Sequence, residues 1–318
     1  MTSRRKNTVA QIRVKAESST QPRSMRRLSI SHLLSGAACV VLSTAQILAQ
    51  ADRPMEGSSE GRPVIVGGAE QHDFLSQVNG RRYRIMVAPP LNADAGKTYP
   101  IVYVIDGNRY FAAAANHARH ASTATRFPIP PAIVVGVGYP TDDIEEVGRR
   151  RGEEFSVTGA GGRVDFDKLN TRVDEFMRVL LQEVKPFVAS RWKISENQQG
   201  IYGHSLGGLI VARVLFGHPT AFTHYIASDP TLGGAIAPAE EASFSDRAKA
   251  EHFRLRVLVI GDGPAYAALA QRLGKFEPAV NVSTARFADE DHISVSLASL
   301  SRGLSFALKP PVVPGKKI

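Results

Sequence analysis

Cysteine is almost missing from this 318-residue chain, with Cys39 the single one. One thiol builds neither a disulfide framework nor a thiolate zinc site. Internal repeats are missing as well, so a solenoid or propeller is excluded. Acid is scarce at the front. Residues 1–51 carry Glu17 alone against eight basic side chains, Arg4, Arg5, Lys6, Arg13, Lys15, Arg23, Arg26 and Arg27. The rest of the composition, 43% hydrophobic and 22% charged, is that of an ordinary globular chain, which excludes wholesale disorder, collagen and coiled coil.

What the front does contain is an uncharged apolar run from Leu28 to Leu48, opened by Met25-Arg26-Arg27 and closed by Ala49-Gln50-Ala51. A basic segment, an apolar segment and an A-x-A site read as an export signal over 1–51, cut after Ala51. Translation starting at Met25 would give that signal an ordinary length. The competing reading is an uncleaved anchor, since the run has the length of a span, but the A-x-A at its end favours cleavage. Arg26-Arg27 leaves the twin-arginine and general routes both open.

Removing the leader takes eight bases from 39 and one acid from 30, so the formal +9 falls to about +2 and the lone Cys leaves too. The expected mature chain is therefore periplasmic or secreted, with no stable membrane association. It shows no basic-aromatic face for nucleic acid.

Residues 52–68 read as a flexible lead-in, 69–310 as one α/β domain and 311–318 as a flexible tail. Phe74–Val78 and Arg82–Ala88 flank Asn79-Gly80, which predicts a tight antiparallel hairpin. Short apolar runs follow at Pro100–Ile105, Ala132–Gly136, Gly200–Tyr202, His224–Ala227, Leu255–Ile260 and Val280–Phe287. Helical patterns alternate with them at Tyr110–Ser122, Asp165–Ser190, Leu206–Phe216, Pro264–Leu273 and Ile293–Leu308. Such alternation predicts a mostly parallel central sheet with helices on both faces.

The chemical signal lies at one strand-to-helix junction, Gly203-His204-Ser205-Leu206-Gly207. A sharp G-x-S-x-G turn lifts a serine hydroxyl above the sheet, and the helix that follows aims free N–H groups at a developing oxyanion. Gly57-Ser58-Ser59-Glu60-Gly61 has the same pattern but neither strand before it nor helix after it, so Ser59 is set aside. The base should follow in the chain. Among the downstream histidines, His218, His224 and His252 read as helix-end or surface residues. His292, in the loop after the last strand, has the position of a base beside Ser205. Asp262, after Leu255–Ile260, is the expected orienting acid, with Asp229 as runner-up. Help from Asp289, Glu290 or Asp291, or a bare Ser–His dyad, stays open. Expected oxyanion donors are the amides of Leu206 and of Asn108, with Gly107 second. Arg149-Arg150-Arg151 reads either as a solvated loop or as a clamp for an anionic substrate, Arg149 and Arg150 being the candidates.

From about Arg82 to Leu308 the chain resembles the putative-esterase branch of the α/β-hydrolase superfamily, the siderophore (enterochelin) esterases most of all. The phrases that carry the resemblance are Tyr99 through Asn108, Val135-Gly136-Val137-Gly138-Tyr139-Pro140, Ile201 through Leu209 and Asp291-His292-Ile293-Ser294. Gly138 through Asp143 followed by Arg149-Arg150-Arg151 points to the siderophore subgroup. The resemblance implies an α/β-hydrolase fold and hydrolysis of a small-molecule ester by Ser205 and His292 through an acyl-enzyme, with no metal and no cofactor. It also shows departures, at Asp229 through Gly234 and at Gly152 through Gly159, both expected to border the pocket. An acyltransferase on the same residues, or a non-catalytic ligand-binding homologue, are the alternative readings.

Overall fold

The computed structural model describes residues 65–126, 128–155, 165–232, 236 and 238–309. The leader 1–51, most of the lead-in and the tail 311–318 lie outside the described residues, as does much of the departing Gly152–Gly159 segment.

Strands form where β-branched and aromatic residues alternate between two buried faces. In β3 (Tyr99–Ile105), Ile101, Tyr103 and Ile105 enter one apolar layer while Val102 and Val104 enter the other. Because both faces are covered, strands such as β4 (Ile133–Gly138) are buried at every position. The other strands are β1 (Glu70–Leu75), β2 (Arg82–Ala88), β5 (Ile194–His204), β6 (His224–Ser228), β7 (Leu255–Ile260) and β8 (Val280–Ala285). They make one eight-stranded sheet in the order β1-β2-β4-β3-β5-β6-β7-β8. β1 and β2 run antiparallel to their neighbours, and every pairing from β4 through β8 is parallel.

Helices α1 (Gly107–Ser122) and α8 (Val295–Leu308) cover one face, with Phe111, Ala114, Leu300 and Leu304 buried against Val104, Tyr202 and Ile226. On the other face lie α2 (Ile144–Phe155), α3 (Phe166–Val179) and α5 (Leu206–Gly217), where Phe155, Phe176, Leu209 and Phe216 are buried. Three further helices complete the set among the described residues, α4 (Lys185–Ala189), α6 (Pro238–Glu251) and α7 (Pro264–Gly274). No helix among the described residues is long and apolar enough to cross a membrane.

Three local expectations need correction. The hairpin loop is longer than two residues, because β1 ends at Leu75. Glu183 accepts from the Ser76 hydroxyl at 2.6 Å and from the Gln77 N–H at 2.7 Å, which draws residues after Leu75 out of the ladder. The helix expected over Asp165–Ser190 is interrupted by a π turn at Leu180–Val184, where the Lys185 N–H reaches back to the Leu180 carbonyl. Pro186 explains it, since a proline has no N–H for the carbonyl four residues earlier and its ring crowds that turn. Finally, Arg149-Arg150-Arg151 lies within α2, not in a loop. Asp143 starts that helix by accepting the Glu145 N–H at 2.9 Å, but its apolar stripe is too thin to read, with only Val147 and Phe155 as buried apolar side chains.

Candidate active site

β5 ends at His204 and the chain turns sharply at Ser205, whose φ of 58° and ψ of −118° are costly for a residue with a Cβ, on the order of 1–3 kcal/mol. Two backbone bonds hold the turn. The Ser205 N–H donates to the Ser228 carbonyl at 2.9 Å, and the Thr231 N–H donates to the Ser205 carbonyl at 3.1 Å. The flanking glycines are steric requirements. A Cβ at position 203 would lie 2.1 Å from the Gly207 carbonyl oxygen, and one at position 208 would lie 2.9 Å from Pro230.

Ser205 Oγ is 3.0 Å from His292 Nε2, and His292 Nδ1 is 2.5 Å from Asp229 Oδ2. His292 is half exposed while the Asp229 carboxylate is 15% exposed, so the imidazole has one face to solvent and an anchor beneath it. Asp291 shapes the loop that presents His292, its carboxylate accepting the N–H groups of Ile293 and Ser294 at 2.8 Å each. The N–H groups of Ser294 and Ile293 hold the Asp291 carboxyl below the usual carboxylate range.

Asp262, the orienting acid expected from sequence, is thus not the carboxylate that meets His292. Asp262 pairs with Arg286 at 2.9 Å, with both side chains more than half exposed. The reason is strand order. β6 is hydrogen-bonded directly to β5, whereas β7 is one strand further away, so the residue after β6 stands beside Ser205. Asp229 adopts φ 40°, and its N–H extends the ladder to the Ile260 carbonyl at 2.7 Å. Asp229, Asp262 and His292 do share one cavity of about 200 Å³. Tyr266, unsuspected from sequence, also approaches Asp229. Its phenol is pushed up to about 12, by burial first and then by its hydrogen bond to Asp229 and that carboxylate's charge.

Leu206 opens α5, and Gly107 and Asn108 open α1, so their N–H groups belong to first turns that have no intrahelical acceptors. The Asn108 side chain is engaged elsewhere. It accepts the Tyr139 N–H at 2.7 Å and donates to the Tyr139 and Thr141 carbonyls at 2.9 Å each, which leaves only its backbone for an oxyanion. Beside these amides the buried Asp106 carboxylate is held by Arg151 through bonds of 2.7 and 3.0 Å.

Arg149 and Arg150 occupy a different groove, about 230 Å³, lined also by Arg81, Arg82, Tyr139 and Glu153. Both pair with Glu146 at 2.7 Å, and Arg149 also with Glu153. That double contact holds the Glu146 carboxyl at about 2. Among the described residues no cluster of three or more His, Cys, Asp or Glu side chains could hold a metal ion.

Residues 76–271 match the family described as Putative esterase. The chain belongs to this esterase family. Within it, the ferri-bacillibactin esterase BesA of Bacillus subtilis is 25% identical over 297 residues, covering 81% of this chain and 95% of that protein. A siderophore triacetylfusarinine C esterase of Aspergillus fumigatus is 32% identical over 175 residues, 54% of this chain and 58% of its own length. Among solved structures, the BES protein from Bacillus cereus superposes with a TM-score of 0.69 at 26% identity, covering 79% of this chain and all of that one. Siderophore hydrolase EstB from Aspergillus nidulans gives 0.62 at 26% identity over 79% and 99% of the two chains. Membership of the esterase family accords with a carboxylic ester hydrolase.

Proposed function

We propose that this esterase is a serine hydrolase in which Ser205 is the nucleophile, His292 the general base and Asp229 the orienting acid. The observation that carries the reading is the unbroken contact from Ser205 Oγ through the imidazole to the Asp229 carboxylate. Asp229 holds the Nδ1–H tautomer, so Nε2 is free to take the Ser205 proton as Oγ attacks the ester carbonyl. The amides of Leu206 and Asn108, with Gly107 as second choice, receive the oxyanion. His292 then protonates the leaving alcohol, and water, activated by the same imidazole, resolves the acyl-enzyme. Acyl transfer to an alcohol and non-catalytic binding find no favour among the named relatives, which are esterases and hydrolases.

For the substrate we propose a siderophore ester, on the strength of those relatives' names and of the arginine groove. Arg81, Arg82, Arg149 and Arg150 border this groove, Arg149 and Arg150 paired with Glu146 and Glu153 and Arg81 and Arg82 within electrostatic reach of Glu154 and Asp73, so an anionic chelate would meet guanidinium donors shared with these carboxylates. One assay tests both readings. Ser205→Ala should lose ester turnover by a factor on the order of 10³ or more while its melting temperature holds; undiminished hydrolysis would sink the nucleophile assignment. Arg149→Gln and Arg150→Gln should raise KM for ferric siderophore esters and leave it unchanged for neutral aryl esters. An equal change for both classes would remove the groove from substrate binding.

A further inference from the structure

Beneath the three proposed catalytic residues lies a buried polar chain that the reaction itself does not use. His204 Nδ1 is 3.1 Å from Ser228 Oγ, Ser228 Oγ is 2.7 Å from Ser299 Oγ, and Ser299 Oγ is 2.9 Å from the Tyr202 hydroxyl. The Tyr202 hydroxyl donates to the Ser296 carbonyl at 2.8 Å, and Ser299 Oγ, 3.0 Å from the same carbonyl, has one hydrogen to share between it and its hydroxyl neighbours. Ser228, Ser299 and Tyr202 are fully buried and His204 is 4% exposed. Placing five polar groups in an apolar layer among Ile226, Leu258 and Leu300 is unfavourable unless each is satisfied by another.

Their places in the chain give the network its meaning. Tyr202 and His204 end β5, and His204 directly precedes Ser205. Ser228 ends β6 and directly precedes Asp229. Ser296 and Ser299 stand in the first turns of α8, a few residues after His292. The three elements that deliver nucleophile, acid and base are therefore joined to one another one residue, or one to two helical turns, away from the reacting groups. The His204 ring also lies against that of His292, with centroids 4.8 Å apart. Burial, and next the neighbouring His292, lower the His204 pKa, which favours the uncharged ring under His292.

We propose that the His204–Ser228–Ser299–Tyr202 network is the positioning device of the site, setting the spacing of Ser205, Asp229 and His292 by tying β5, β6 and α8 together below them. These are positioning residues, since Tyr202, Ser228 and Ser299 lie below the reacting groups and His204 meets only the ring of His292, not the substrate. The proposal rests on the serine-hydrolase reading above, and its test separates the two. Hydrolysis of 4-nitrophenyl acetate, a small neutral ester, is followed for Ser299→Ala, His204→Phe, the double variant and Ser205→Ala, with melting temperatures in parallel.

Displacements of a fraction of an ångström should lower kcat roughly 10- to 100-fold in each single variant with KM within about 2-fold. Because the groups act as one unit, the double variant should be no worse than the poorer single one. Ser299→Ala removes one oxygen and adds a strong helix former, so it carries the test even if His204→Phe does not fold. Single variants with kcat within 2-fold of the parent would overturn the positioning role. So would losses that multiply in the double variant, or a KM that rises as kcat falls. Activity surviving in Ser205→Ala would instead overturn the serine-hydrolase reading.

Discussion

Asp229 and Asp262 both follow apolar strands of the same sheet, yet their surroundings set them to different tasks. Asp229 is largely buried under His292, and Asp262 shares an exposed ion pair with Arg286. Asp229→Asn should lower kcat by a factor on the order of 10³–10⁴, because an amide no longer fixes the imidazole tautomer or stabilises its cation. Asp262→Asn should change kcat less than about 3-fold and cost under about 1 kcal/mol, as exposed pairs do. Equal losses in the two variants, measured on one neutral ester, would reverse the assignment. At this scale the meeting of Ser205 with His292 was legible, since a glycine elbow between strand and helix and a histidine after the last strand are local patterns. The carboxylate that meets His292 was not, because which one lies beside Ser205 depends on the lateral order of strands. A Gly-Asp-Gly turn after one strand and an Asp-Pro turn after another carry no mark of that order.

At the scale of elements, β6 enters the sheet through His224, whose Nδ1 meets the Thr223 hydroxyl at 2.8 Å and whose Nε2 meets Arg256 at 3.1 Å. Burial, then the Arg256 charge, lower its pKa from 6.5 to about 4. Between those values the unfolded chain binds a proton that the folded one does not, so stability falls as pH drops from about 6.5 towards 4. Relative to His224→Gln, the parent should lose roughly 2 kcal/mol more between pH 7 and pH 5 in urea unfolding, at about 1.4 kcal/mol per unit. Parallel losses in both proteins would remove His224 as the cause. Strands and the long apolar helices were legible from periodicity. Helix α2 was not, for only Val147 and Phe155 bury apolar side chains while its charged Arg151 and Glu154 also turn inward, to Asp106 and to Tyr83 and Tyr139, and the π turn before Pro186 is an effect of one missing N–H that periodicity does not register.

For the whole molecule, charge separates into parts. The formal +9 belongs to the full chain, and about +2 remains from Asp52 onward. We propose that the chain is exported and that residues 1–51 are removed. Intact-mass analysis of protein recovered from outside the cytoplasm should give a chain starting at Asp52; a full-length chain held in the membrane fraction would refute it. The overall architecture was legible because strands and helices alternate along the sequence, and the order of the eight strands was not, since it is set by crossovers that no local pattern encodes.

That order also divides the site by how fast its parts open. The Ser205 and Asp229 amides are rungs of the sheet ladder, bonded to Ser228 and Ile260, and their deuterium exchange should require opening of the sheet itself. His292 lies in an exposed loop beyond β8, tied to the sheet through the Asp229 carboxylate and the start of α8, so its amide should exchange sooner than those of Ser205 and Asp229.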